Sequence, residues 1–157
     1  MELVENFING QYVSSDSSAF IDIYEPATGD IYGKFKDSNA NDIDHAVRSA
    51  KNAFPDWSGL SIRERAVHLN NIANGIEQRL DEFAEFESRD TGKPIALARS
   101  LDIPRSVLNF KFFADHALQF EFNFNLNSES SQNLINRSPL GVVACISPWN
   151  LPLYLFT

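Results

Sequence analysis

The chain has 157 residues, of which 43% are hydrophobic and 22% charged, a composition that can build one globular core and does not resemble a disordered tract. Its 21 acidic residues outnumber 13 basic ones, for a net charge of −8, which argues against phosphate backbones and anionic lipid as partners. No apolar run approaches the roughly 20 residues a membrane helix needs. The N-terminal Met1-Glu2-Leu3-Val4-Glu5-Asn6 has no basic region followed by an apolar stretch, so it is no secretory signal. One cysteine, Cys145, excludes an internal disulfide, and His45, His68 and His116 lack metal-ligand spacing; no metal site is expected, and a cytoplasmic setting is.

In chain order, Asn9-Gly10 between Phe7-Ile8 and Gln11-Tyr12-Val13 predicts a tight hairpin, because both central residues of the favoured turn need positive φ. Ile21 and Ile23 alternate with polar neighbours, Pro26-Ala27-Thr28-Gly29 marks a turn, and Ile31 to Lys36 returns. These segments predict a small antiparallel sheet. From Asn41 the period becomes helical: Ile43, Ala46, Val47, Ala50 and Phe54 share a face, and Pro55 is expected to end it.

Ser61-Ile62-Arg63-Glu64 is a capping-box pattern, followed by an apolar stripe of Ile62, Ala66, Leu69, Ala73, Ile76 and Leu80. A further short helix runs through Phe83 and Phe86 to the breaker Thr91-Gly92-Lys93-Pro94. Its carboxylates, Asp81, Glu82, Glu85 and Glu87, read as a solvated face rather than as acid/base groups. Ile95 to Phe120 is helical again, with a kink or restart at Pro104 and a buried side of Val107, Phe110, Phe113, Ala114 and Ala117. Asn123 to Asn133 reads as a polar loop, and Gln132 to Arg137 as an extended strand.

Gly141-Val142-Val143-Ala144-Cys145-Ile146 is a nearly continuous apolar run, which fits a strand buried on both faces of a parallel sheet, ending in the turn Ser147-Pro148-Trp149-Asn150. A lone strand of that kind needs partners, and Leu151-Pro152-Leu153-Tyr154-Leu155-Phe156-Thr157 is strongly apolar; both features lead us to expect that the chain continues. Cys145 would lie inside this strand with no activating group nearby, which is the setting of an inert cysteine.

Pro139-Leu140-Gly141-Val142-Val143 followed by Ser147-Pro148-Trp149-Asn150-Leu151-Pro152 resembles the strand and turn that open the cofactor domain of the aldehyde dehydrogenase superfamily. Phe7-Ile8-Asn9-Gly10, Pro26-Ala27-Thr28-Gly29, Ala53-Phe54, Trp57, Glu64-Arg65 and Thr91-Gly92-Lys93-Pro94 agree with that family in order and spacing, so the resemblance spans nearly the whole chain. Asp102-Ile103-Pro104-Arg105-Ser106, Asn109 to Ala114 and Leu151 to Leu155 resemble the 2-aminomuconate and 2-hydroxymuconate semialdehyde dehydrogenases in particular.

The resemblance implies an α/β fold: the N-terminal portion of the aldehyde dehydrogenase fold, truncated, with small antiparallel strands, several helices and the first strand of a Rossmann-like cofactor domain. On this reading residues 1–131 are the N-terminal part of the cofactor-binding domain, 132–140 an oligomerisation-type strand, and 141–157 the first parallel strand and turn of the NAD-binding core.

The implied chemistry is NAD(P)-dependent oxidation of an aldehyde to a carboxylic acid, with NAD favoured over NADP. A thiolate attacks the aldehyde carbon and a glutamate activates water to release the acid; in the family both groups lie further along the chain than Thr157. Asn150 would donate its side-chain amide to the oxyanion, Ile146, Ser147, Pro148 and Trp149 would line the cofactor, and Arg105 and Leu151 would face the substrate. An arginine suits a substrate carboxylate because two parallel N–H groups match it.

Each role has a plainer counterpart. Asn150 can simply hold a Pro-rich turn, Ile146 can be core packing, and Arg105 can be solvated or paired with Asp102. The expected partners are a small aldehyde and further copies of the chain. The 157 residues alone are expected to be inactive, and an assembly module or a non-functional remnant are the competing readings.

Overall fold

The computed structural model describes residues 2–157. Five short strands come first: β1 (Glu2–Val4), β2 (Asn6–Ile8), β3 (Gln11–Val13), β4 (Phe20–Tyr24) and β5 (Ile31–Lys36). Asn9 and Gly10 take φ of 55° and 75°, so the β2–β3 hairpin turns on the pair the sequence nominated. The single antiparallel sheet expected here is two sheets. β2 and β3 pair alone, while β5 sits centrally between antiparallel β4 and parallel β1. β1 has only three residues and no clear alternation, which is why the pattern did not reveal it.

Helix α1 (Ala40–Gly59) starts at Asn39, whose side chain accepts from the Asn41 and Asp42 amides while Asp42 accepts from the Asn39 amide. Ser15 donates its hydroxyl to the same Asp42 carboxylate at 2.6 Å, tying strand to helix and holding that carboxyl below its ordinary range. Pro55 does not end the helix, which runs on through Gly59. Pro55 and Lys51 are both exposed, so water can satisfy the carbonyl that loses its partner. Nor is the expected face a core face: α1 buries no residue fully, and Ile43 is 59% exposed.

The core lies among the next helices. Helix α2 (Ile62–Gln78) has the reciprocal cap expected of Ser61 and Glu64 and buries Ala66, Ala73 and Ile76 from its stripe. Helix α3 (Leu80–Thr91) ends at Gly92, in left-handed geometry with φ 76°. A Cβ on Gly92 would also stand 2.9 Å from Pro26, so this breaker is fixed by both conformation and space.

Helix α4 (Ile95–Leu97) passes through a π-turn at Ala98–Asp102 into helix α5 (Ile103–Gln119). The Ile103 amide reaches back five residues to the Ala98 carbonyl, and Pro104 then falls in the first turn of α5, where its missing N–H costs least. This is the restart that Pro104 predicted.

Ala73, Ile76, Ala84, Ala98, Ile103 and Val107 form one buried cluster, with Leu80, Phe83, Phe110 and Leu153 packed around it. The buried alanines let α2 and α5 lie close together. Burial of a side chain such as Ile103 contributes about 1.5–3 kcal/mol. Phe113, expected inside, is 53% exposed; it sits beside Phe112 on the outer face of α5.

The expected loop after α5 is half strand. β6 (Phe124–Asn127) pairs antiparallel with β7 (Gln132–Ile135), and Phe124 and Leu126 alternate with asparagines at the strand period. No helix of the described residues is long and apolar enough to cross a membrane.

Candidate functional site

The stretch from Gly141 to Pro148 carries no strand ladder among the described residues. The parallel strand expected at Gly141–Ile146 is therefore not formed here. A strand is held by hydrogen bonds to neighbours, and none of the three described sheets extends to it. Ile146 is 94% exposed and Trp149 84%. Cys145 is exposed as well, which corrects the expectation of a buried thiol.

Past this stretch the chain is anchored again. Trp149 and Asn150 form a turn, and Pro152 opens helix α6 (Pro152–Phe156) at its first turn. Leu151 is half-buried, and its carbonyl accepts the first helical bond, from Leu155 N–H at 2.9 Å. α6 packs against α5, Leu153 rests on the buried cluster, and Asn109 Nδ2 donates to Thr157 Oγ1 at 3.2 Å.

The Asn150 side chain is exposed and makes no hydrogen bond among the described residues, so its amide donors are uncommitted. That contrasts with Asn39 and Asn109, whose side chains are consumed by a helix cap and by Thr157.

Ser147 lines an open cavity of about 530 Å³ whose apolar floor includes Phe83, Phe86, Ile103, Leu153 and Phe156. Of the residues proposed for the cofactor wall, it alone reaches this cavity. Its rim carries Arg89, whose guanidinium stacks on the Tyr32 ring at 4.2 Å and pairs with Glu2 at 3.2 Å and Glu25 at 3.6 Å. Tyr32 donates to Asp90 at 2.7 Å; burial, then that bond and the Asp90 charge, push its hydroxyl up to about 12.

Arg105 stands in the first turn of α5, exposed and without an ion pair among the described residues. It lines none of the described cavities, and neither does Asn150, so no described cavity brings the two together. Its expected alternative partner, Asp102, is committed elsewhere. Asp102 is 1% exposed and receives Lys93 Nζ at 2.6 Å. The same ammonium donates to Glu87 at 2.8 Å, and Glu87 is 5% exposed.

Glu87 is thus not part of a solvated face. Its three-residue spacing from buried Ala84 on α3 was the available signal. The two buried carboxylates hold Lys93 above its ordinary range. Burial alone would pull it down, but the hydrogen bonds to Asp102 and Glu87 outweigh that. Sequence reasoning did not single out this triad, which locks the chain after Gly92 onto the π-turn that leads to Arg105.

Comparison with known proteins agrees with this architecture. Residues 12–157 match the family described as Aldehyde dehydrogenase family, and the chain belongs to it. It is 46% identical over 156 residues to human 2-aminomuconic semialdehyde dehydrogenase, covering 99% of this chain and 32% of the relative. It is 40% identical over 162 residues to 2-hydroxymuconic semialdehyde dehydrogenase of Pseudomonas sp. strain CF600, covering all of this chain and 33% of that one.

Among solved structures, PnpE in complex with nicotinamide adenine dinucleotide superposes with a TM-score of 0.88 at 37% identity, over 96% of this chain and 31% of PnpE. An NAD-dependent aldehyde dehydrogenase of Sinorhizobium meliloti gives 0.87 at 31% identity, over 98% and 31%. The chain therefore spans about a third of the length of the relatives it matches. The fold is that of the N-terminal third of these enzymes.

Proposed function

We propose that these residues supply the oxyanion-stabilising and substrate-carboxylate-gripping part of an NAD-dependent site that oxidises a muconate-type semialdehyde to the acid. The observation that carries this reading is the uncommitted Asn150 amide at the Trp149–Asn150 turn, in a chain 46% identical to an aminomuconic semialdehyde dehydrogenase.

Asn150 does its work as a neutral donor. When a thiolate adds to an aldehyde carbon, negative charge gathers on the former carbonyl oxygen. An amide N–H aimed at that oxygen stabilises charge that grows in the transition state, with no proton to lose or gain. The α6 anchor on α5 is what would hold the turn still enough for this. Arg105, without an ion pair among the described residues, keeps its forked donors for a substrate carboxylate. The thiolate and the water-activating glutamate would come from residues other than these 157.

The residues offered to a dinucleotide fit one wall and not an enclosure. Ile146 and Trp149 present open apolar faces and Ser147 a hydroxyl, but Arg89, the arginine at the rim of the nearby cavity, is already paired with Glu2 and Glu25. When bound, NAD would supply the hydride acceptor. NAD is favoured over NADP because PnpE was solved with the former. A small aldehyde is the substrate partner, self-association through the β6–β7 hairpin is the assembly reading, and a cytoplasmic location completes the proposal.

The test is a chimaera in which these residues replace the matching third of the Pseudomonas relative. Asn150→Ala in it should cut kcat by about 10²–10³-fold, as loss of one oxyanion donor does elsewhere. Arg105→Ala should act mainly on KM for the carboxylate-bearing aldehyde and leave a neutral aldehyde unaffected. Unchanged turnover in Asn150→Ala would contradict the oxyanion role. NADH formation by the purified 157-residue chain alone would contradict the division of labour.

A further inference from the structure

A second open groove lies between the end of α1, the start of α2 and the chain around Arg137. It measures about 740 Å³, within the usual range for a small-molecule site. Its apolar side is Phe54, Trp57, Ile62 and Phe122. Its polar side holds two guanidiniums, Arg65 and Arg137.

The charged side chains that line this groove are both positive. The chain has 21 acidic residues, yet no carboxylate lines this groove. Neither arginine has an ion pair among the described residues, a state they share with Arg105. Glu64, the nearest carboxylate in sequence, is committed to Ser61, accepting from its amide at 2.8 Å and its hydroxyl at 2.7 Å.

Each arginine is nonetheless held in place. Arg65 Nη1 donates to the Leu60 carbonyl at 2.5 Å, and Arg137 donates to the Phe122 carbonyl at 3.0 Å while its guanidinium lies over Phe120 and Phe124. A guanidinium has five donor hydrogens, so most of the donors of both remain free.

We propose that this groove binds a small planar carboxylate, its flat body against Trp57 and Phe122 and its carboxylate shared by Arg65 and Arg137. Anchored arginines without counter-ions, beside an aromatic wall, match such a ligand in both charge and shape. The site is separate from Asn150 and Arg105, and it does not depend on the activity proposed above.

The experiment is an NMR titration of the 15N-labelled 157-residue chain with cinnamate, cinnamamide and acetate, following the Trp57 indole N–H and the Arg65 and Arg137 Nε–H signals. A Trp57→Phe sample assigns the indole signal. Cinnamate should shift all three saturably, while cinnamamide, which lacks the charge, and acetate, which lacks the apolar body, should shift them at least about tenfold more weakly; raising the salt should weaken cinnamate.

Arg137→Gln should weaken cinnamate by about tenfold or more, as hydrogen bonds to charged groups do when lost. Arg137→Lys, which keeps the charge but not the fork, should fall between and covers the case in which Arg137→Gln does not fold. The proposal is overturned if the three probes act alike, if cinnamate moves only Trp149, if both Arg137 variants bind as well as the parent, or if the signals move with protein concentration instead, since a second copy would then be the occupant.

Discussion

Ile103 and Ile146 are the same residue type, and Ile146 lies in the more apolar run, yet Ile103 is 0% exposed and Ile146 94%. The difference lies in their partners. Ile103 sits at the junction of the π-turn and α5, where α2 and α3 each turn an apolar face toward it. All of those faces come from within residues 62–107, and each helix satisfies its own backbone. The run from Gly141 to Ile146 suits a strand, and a strand needs neighbours for its amides and carbonyls as well as for its side chains. A hydrophobic sequence thus states a need, and the surrounding chain decides whether it is met.

The largest test of the helical half is Lys93→Met. Removing the ammonium leaves Glu87 and Asp102 buried together without a counter-charge, and should cost about 3–5 kcal/mol in urea unfolding. Adding Glu87→Leu and Asp102→Leu to that variant should recover most of the loss, because an apolar replacement of a buried ion cluster is often neutral or better. Ile103→Ala should cost about 2–5 kcal/mol. Ile146→Ala, in the other half of the comparison, should stay within about 0.5 kcal/mol. Equal losses from the two isoleucines would erase the contrast.

Alkaline pH gives a smaller effect on the same side. Tyr32, raised to about 12, and Lys93, raised above its ordinary value, each favour the protonated form more in the folded chain than in the unfolded one. Their contribution is complete below about pH 10 and lost as pH rises through their folded values. Urea midpoints should therefore decline from about pH 10 to 12. Asp90→Asn should bring the Tyr32 absorbance titration down toward 10.

How far the sequence could be read follows the same division. The Asn9-Gly10 turn, the Ser61–Glu64 cap, the Gly92 stop and the restart at Pro104 are local devices, each settled by a few neighbouring residues, and each appears as expected. The parallel pairing of β1 with β5 joins residues about thirty positions apart, where periodicity has nothing to say, and Glu87, although spaced three residues from buried Ala84, owes its charge partner to Lys93 beyond the end of its helix. Pro55 misled because its cost depends on whether water reaches the Lys51 carbonyl. At the candidate site, the Ser147–Asn150 turn was legible as a motif, while the Lys93 triad behind Arg105 was hidden among residues that look like surface charge.

The most direct test is amide hydrogen exchange on the 157-residue chain. Amides of α2, α3 and α5 around Ala73, Ala84 and Val107 should be protected to the level of global unfolding, while those from Val142 to Ile146 should exchange almost as fast as an unfolded peptide. Strong protection of Val142 to Ile146 would contradict the account, because it would mean that this run has a hydrogen-bonded partner in the chain itself.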